Sequence, residues 1–148
     1  CRRIAFIGGS KKLFVTQDRL KGYELALKQH QLPIDTNLTY FATEFLEEKG
    51  YQFSELLFNH DPQIDAIITT DSLLAEGVCD YISKHQLTVP VLSFDSVNPR
   101  LDLVAYVDIN SLELGRVSFE TILQIINDAK NNKQICYRQL IGHKIIEK

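Results

Sequence analysis

Residues 89–96 read VPVLSFDS. This is a short apolar run that stops on an acid, Asp95, with Pro90 near its start and Asn98-Pro99 beyond its end. An apolar run of that length between turn signals reads as a buried parallel strand. In open α/β sheets, ligands bind in the crevice beyond the carboxyl ends of the strands. A carboxylate at that tip therefore stands where a polar ligand meets the protein. Two earlier stretches end the same way, IAFIGGS at 4–10 and DAIITTDS at 65–72. Three apolar strands that each run out into small and acidic residues predict one shared rim. Asp71 and Asp95 also fit a plainer role as turn or cap residues, the common use of Asp after a strand.

The 148 residues suffice to bury a core as one domain. Hydrophobic residues make up 45% and charged ones 24%, the mix of an ordinary globular protein. No run of about eighteen apolar residues occurs, so no segment reads as a membrane span. A net charge of −3 gives no electrostatic footprint for nucleic acid. Cys1, Cys79 and Cys136 are far apart and without a CxxC pair or a His at ligand spacing, which indicates neither a zinc site nor a disulfide framework. Buried or incidental thiols in a reducing, cytoplasmic compartment are the expected state. Asn37-Leu38-Thr39 is a glycosylation sequon that carries meaning only in a secreted chain. No signal peptide precedes the first strand, and truncation accounts for the initial Cys1 better than a lipid anchor.

The first strand, 4–7, leads into Gly8-Gly9-Ser10, which matches neither GxGxxG nor GxxxxGK[ST]. Glycines that let the chain turn closely over the sheet explain it better. A helix is expected over 15–30, with Leu20, Tyr23, Ala26 and Leu27 on its buried face and Leu32-Pro33 ending it. A second strand, 38–42, and a helix over 47–59 follow, with Phe53, Leu56 and Leu57 facing the sheet. Phe45 sits between them at the strand's carboxyl end, either a core plug or a ligand platform. The third strand is 66–69, and Thr70 or Asp71 caps a helix to about Gln86 that carries Leu74, Val78, Tyr81 and His85 in one stripe. The fourth strand is 91–94. Alternating strands and helices with short connections predict a parallel sheet with right-handed crossovers in the order 2-1-3-4, with room for an added edge. After Asp95 the rhythm breaks. A strand is expected over 104–107, then a long helix over 111–131 with Asn110 and Glu113 at capping-box spacing. Leu112, Gly115, Phe119, Ile122, Ile126 and Ala129 form its apolar stripe. Leu114, Leu123 and Ile125 widen that stripe, so this helix wants burial on more than one side. Two strand-like pieces, 135–141 and 144–147, close the chain.

No G-x-S-x-G elbow and no HExxH helix occurs. The four histidines fall far apart in expected helix ends or turns, so no activated nucleophile is assembled. Asp71 and Asp95 could in principle hold a metal, as in receiver-like or phosphatase-like folds. Such sites need acids at the end of the first strand, and here that strand ends Gly8-Gly9-Ser10. No cofactor or metal is expected, and an enzyme is disfavoured.

The order RRIAFIGG, DRLKGYELAL, an aromatic before EEKGY, TTDSLLAEGV, VPVLSFD and LELGR resembles the lactose/galactose-repressor (LacI/GalR) family of bacterial regulators. The likeness covers nearly the whole chain, and is to the C-terminal part of that family's effector-binding core, a two-lobed, periplasmic-binding-protein-like receptor of type I. The resemblance implies a Rossmann-like parallel sheet with helices on both faces. It implies that residues 1–108 form most of the C-terminal lobe, that 109–134 hold a crossover helix belonging to the N-terminal lobe, and that 135–148 return to the C-terminal lobe. The helix-turn-helix DNA reader, the hinge and the first half of the core would then lie outside this chain.

By the same resemblance, Arg19 of RLKGY matches an arginine that binds effector hydroxyl groups, and Phe45 an aromatic that stacks on the effector ring. Thr70 matches a position often filled by Asn, and Asp95 the acid that binds the effector, preceded by the aromatic Phe94. The chemistry suits a mono- or disaccharide: apolar C–H faces for an aromatic, vicinal hydroxyls for a carboxylate and a planar guanidinium. Thr70 in place of Asn, and Ile109 where many members carry Gln, depart from the pattern. The resemblance also implies a homodimer, with Ala75, Val78, Cys79 and Ile82 as candidate contacts, and operator DNA as a partner of the intact protein. A sugar-binding protein of a transport system shares the two-lobed fold, and would differ by a signal peptide in place of a DNA-reading helix pair.

Overall fold

The computed structural model describes residues 1–44, 46–95, 101–131, 136–137 and 139–147. Its elements are β1 (Ile4–Gly8), α1 (Phe14–Gln29), a 3-10 turn (Thr36–Leu38), β2 (Thr39–Phe41), α2 (Glu47–His60), β3 (Ala66–Thr69), α3 (Ser72–Lys84), β4 (Val91–Phe94), β5 (Ala105–Asp108), α4 (Ser111–Lys130) and β6 (Lys144–Glu147). They build one sheet in the order β2-β1-β3-β4-β5-β6. The five strands from β2 to β5 pair in parallel, and β6 closes the edge antiparallel to β5. The expected order 2-1-3-4 holds, and the added edge is two strands wide. Of the strand expected over 135–141, residues 136–137 and 139–141 form none, and 135 and 138 lie outside the described residues.

Stepping out from β1 to β2 and back to β3 and β4 puts α1 on one face of the sheet and α2 with α3 on the other, given right-handed crossovers. Strand alternation sorts the core to match. Phe6 meets Tyr23 and Leu27 of α1. Ala5, Ile7, Ile67 and Val91 meet Leu57, Leu74, Ala75 and Val78 of α2 and α3. Two expected core residues are corrected. Ala26 and Leu56 are exposed, because the buried faces of their helices run through Thr16, Tyr23 and Leu27, and through Gly50, Ser54 and Leu57. Helices α1 and α3 end a little before their expected limits. Gln31 and Gln86 take left-handed backbone, and the next amides, Leu32 and Leu87, reach back to the carbonyls of Leu27 and Ile82, a Schellman closure.

Helix α4 has no buried residue. Phe119, at 63% exposure, and Ile122, Leu123 and Ile126 show the apolar face that its sequence calls for covering. The expected capping box does not form. Asn110 is left-handed and makes no side-chain cap, its amide donates to Asp108, and Glu113 is taken by Arg116. At the far end of the sheet from the rim, Arg3 pairs with Asp35 at 3.1 Å and with Asp61.

The Tyr23 hydroxyl donates to the Ile4 carbonyl at 2.7 Å, pinning α1 to the start of β1. Burial, aided by the charges of Asp35 and Glu24, pushes the phenol up to about 12. Since the folded value lies above the ordinary one near 10, this stability is whole below about pH 10 and is lost as pH rises through about 12. Tyr23→Phe is expected to cost about 1 kcal/mol at neutral pH. In urea unfolding it should also flatten the alkaline fall in stability; an unchanged alkaline limb would assign that fall elsewhere.

Candidate functional site

The carboxyl ends of β1, β3 and β4 meet at one rim, as three strands running out into small and acidic residues predict. Gly8 ends β1 in a tight place. A Cβ there would lie 2.9 Å from Phe6 Cε1 and 3.3 Å from both Thr16 and Thr70, so crowding, with no need for a positive φ, explains the glycine. The next amide, Gly9 N–H, donates to Thr70 Oγ1 at 3.0 Å. The Ala42 amide reaches the Gly8 carbonyl at 2.8 Å, bringing the end of β2 alongside.

Of the two expected caps, Thr70 and Asp71, Asp71 is the N-cap of α3. Its Oδ1 accepts the Leu74 amide at 3.0 Å and its Oδ2 accepts the Thr70 hydroxyl at 3.2 Å. Burial raises its carboxyl above the ordinary range, the Leu74 amide and Thr70 hydroxyl pull it back, and the charge of Asp95 pushes it up again. Arg19, on the first turns of α1, donates through Nη1 to the Thr70 carbonyl. Its guanidinium carbon lies 4.6 Å from the centre of the Phe94 ring, a cation–π contact. Burial lowers the arginine's pKa, and Asp95 and then Asp71 oppose that shift. It stays a cation.

Asp95 follows β4 in left-handed backbone, φ 70°. Its amide is held by the Val107 carbonyl of β5 at 3.1 Å. Its Oδ1 is buried and makes no hydrogen bond among the described residues. A carboxylate oxygen out of water without a donor is costly, and strained backbone at a strand tip is a feature of functional sites.

The structure thus gathers Arg19, Thr70, Phe94 and Asp95 at one rim, with Asp71 beside them. Phe45 lies outside the described residues. Two features are not visible in the sequence. The arginine lies over Phe94, and Lys11 Nζ lies 4.1 Å from the centre of the Phe41 ring. The only sequence hint of the second is a lysine directly after Gly8-Gly9-Ser10. Ala75 and Val78 are corrected as candidate subunit contacts, since both are wholly buried against the sheet. The extra apolar width of α3 at those positions is core. Cys79 and Ile82 are half-buried at the edge of the same core. They line a cavity of about 410 Å³ at the other end of β4. Among the described residues no cluster of three or more His, Cys, Asp or Glu could hold a metal. Among the described residues no helix is long and apolar enough to cross a membrane.

A doubly wound sheet with one guanidinium and two carboxylates gathered beyond its strand ends is an open α/β lobe, a form whose ligands sit at that edge. The sequence pattern of the periplasmic-binding-protein-like domain matches residues 1–142, and the chain belongs to that family. It is 82% identical over 148 residues to the HTH-type transcriptional regulator MalR of Streptococcus pneumoniae, covering all of this chain and 45% of that protein. Among solved structures, it is similar to one described as a LacI transcriptional regulator from Bacillus cereus subsp. cytotoxis NVH 391-98. The two share 29% identity with a TM-score of 0.88, covering 99% of this chain and 53% of that one. A complex of the transcriptional regulator CelR with cellobiose has the same fold, with 19% identity and a TM-score of 0.85, over 98% of this chain and 45% of that one. These relatives are regulators of transcription. The chain spans about half the length of the curated relatives it matches.

Proposed function

We propose that this chain is the effector-sensing part of a cytoplasmic bacterial transcriptional regulator, and that a mono- or disaccharide at the rim changes DNA binding by a helix-turn-helix reader outside the chain. The observation that carries the reading is the convergence of Arg19 and Asp95, from opposite ends of the lobe's sequence, beside Phe94. A planar cation and a carboxylate with an oxygen that makes no hydrogen bond among the described residues match the vicinal hydroxyls of a sugar, each bond charge-assisted. Similarity to MalR supports the regulatory half of the reading. The uncovered apolar face of α4 supports its assignment to a second lobe that closes over the ligand. The regulator is proposed to work as a homodimer, with Cys79 and Ile82 the remaining candidate contacts on α3.

Calorimetric titration of the full-length protein with glucose, cellobiose and maltose tests the reading. Asp95→Asn and Arg19→Ala are each expected to weaken the best of these by about 2 kcal/mol, roughly thirtyfold. Wild-type affinity in both variants would remove the rim from consideration as the effector site.

A further inference from the structure

Thr70 joins three parts of the rim, and its polar atoms are engaged inside the protein. The side chain is 1% exposed. Its amide donates to the Ile7 carbonyl at 3.0 Å, and its carbonyl accepts Arg19. Its hydroxyl accepts the Gly9 amide at 3.0 Å and donates to Asp71 at 3.2 Å. A hydroxyl has one proton to give. Given to Asp71, it leaves none for a bound sugar.

We propose that Thr70 is a positioning residue that acts on the effector through Arg19 and Asp71, and does not touch the effector itself. This rests on the rim being the effector site, and it departs from the contact role that the family resemblance gives the same position. The Thr70 main chain holds the guanidinium from below. Its side chain ties the β1 turn to the cap of α3, so the acid and the base share one clamp. The charged groups that face Asp71 are Asp95 from the tip of β4 and Arg19 from α1. The hydroxyl stabilises the ionised form of Asp71. Without it, that carboxyl protonates at higher pH, and Arg19 loses one of the two carboxylates that offset its burial.

The test is calorimetric titration of the full-length protein with cellobiose and maltose from about pH 5 to about pH 8. The proteins are wild type, Thr70→Val, Thr70→Ser, Asp71→Asn, the Thr70→Val/Asp71→Asn double variant and Asp95→Asn. Thr70→Val is expected to weaken binding roughly tenfold at neutral pH, and by more as the pH falls, while Thr70→Ser stays within about threefold of wild type. In the Asp71→Asn background, the Thr70→Val step should shrink and lose its pH dependence, a non-additive cycle. Asp71→Asn keeps the cap acceptor, so its flattened pH profile remains a readout if Thr70→Val does not fold. A Thr70→Val loss that is equal at every pH and equal in both backgrounds would mean that the hydroxyl binds the sugar directly. A lowered melting temperature with wild-type affinity would leave Thr70 a purely structural role. Either result overturns the proposal. Wild-type affinity in Asp95→Asn, which leaves the clamp intact, would instead overturn the effector-site reading beneath it.

Discussion

Gly77→Ala should destabilise the protein by about 3 kcal/mol or more, although a glycine-to-alanine change inside a helix ordinarily gains up to about 1 kcal/mol. A Cβ on Gly77 would lie 1.9 Å from the Glu47 carbonyl oxygen and 2.6 Å from the Tyr51 amide nitrogen. Across the same contact, a Cβ on Gly50 would lie 2.1 Å from the Leu74 carbonyl oxygen. All three neighbours are backbone, so no side-chain rotation relieves the clash. Helices α2 and α3 must part. Parting them pulls Tyr51 and Phe58 from Tyr81, whose ring centres are now 5.2 and 5.7 Å away, and loosens Leu57 and Leu74 in the core. Urea unfolding should show a lower midpoint with an unchanged slope. Gly22→Ala on α1 is the control, because nothing lies within 4 Å of its added carbon. It should hold or raise stability. If Gly77→Ala were as stable as Gly22→Ala, the close α2–α3 contact would not exist in solution.

That glycine pair shows where sequence reading runs out. The four apolar runs gave four strands at once, because buried parallel strands are nearly continuous in apolar residues. Their order followed from short crossovers. The small and acidic strand ends gave the rim, and Asp71 was one of two caps, with Thr70, that the place before the helix allowed. What the runs could not give was any contact made across the sheet. Gly50 and Gly77 lie in different helices, and each alone reads as a mere weak point in a helical pattern. Ala75 looks like spare apolar surface when α3 is drawn as a single stripe through Leu74, Val78 and Tyr81. A helix over the middle of a sheet packs a wider face, and Ala75 falls inside it with Val78. Asn110 and Glu113 have the right spacing for a capping box, yet spacing does not fix backbone. Left-handed φ at Asn110 and the rival partner Arg116 undo the box. Arg19 was legible as a site residue by resemblance alone. Its hold on the Thr70 carbonyl and its place over Phe94 are tertiary facts, without a local signal.

Asp95→Gly is expected to abolish most effector affinity while costing the fold no more than about 1 kcal/mol. The native residue carries two costs that a ligand at the rim would account for. One is left-handed backbone at φ 70°, which glycine adopts freely. The other is a buried carboxylate oxygen with no donor among the described residues, a burden of about 1–3 kcal/mol. Glycine removes both. Against this stand the entropy of a more flexible unfolded chain, about 0.5–1 kcal/mol, and the loss of one of the two charges that offset the burial of Arg19. These roughly balance, so the melting temperature should fall by no more than about 4 °C, the shift that corresponds to about 1 kcal/mol in a domain of this size. Binding has no such compensation. Losing charged hydrogen bonds to sugar hydroxyls costs about 2–3 kcal/mol, roughly thirty- to more than a hundredfold in affinity. Thermal unfolding and calorimetry with cellobiose and maltose on the full-length protein separate the two effects. A large drop in melting temperature with binding retained would make Asp95 a structural turn residue, the plainer role that its sequence also allows. Stability held with binding lost is the signature of strain kept at a site for the ligand's sake.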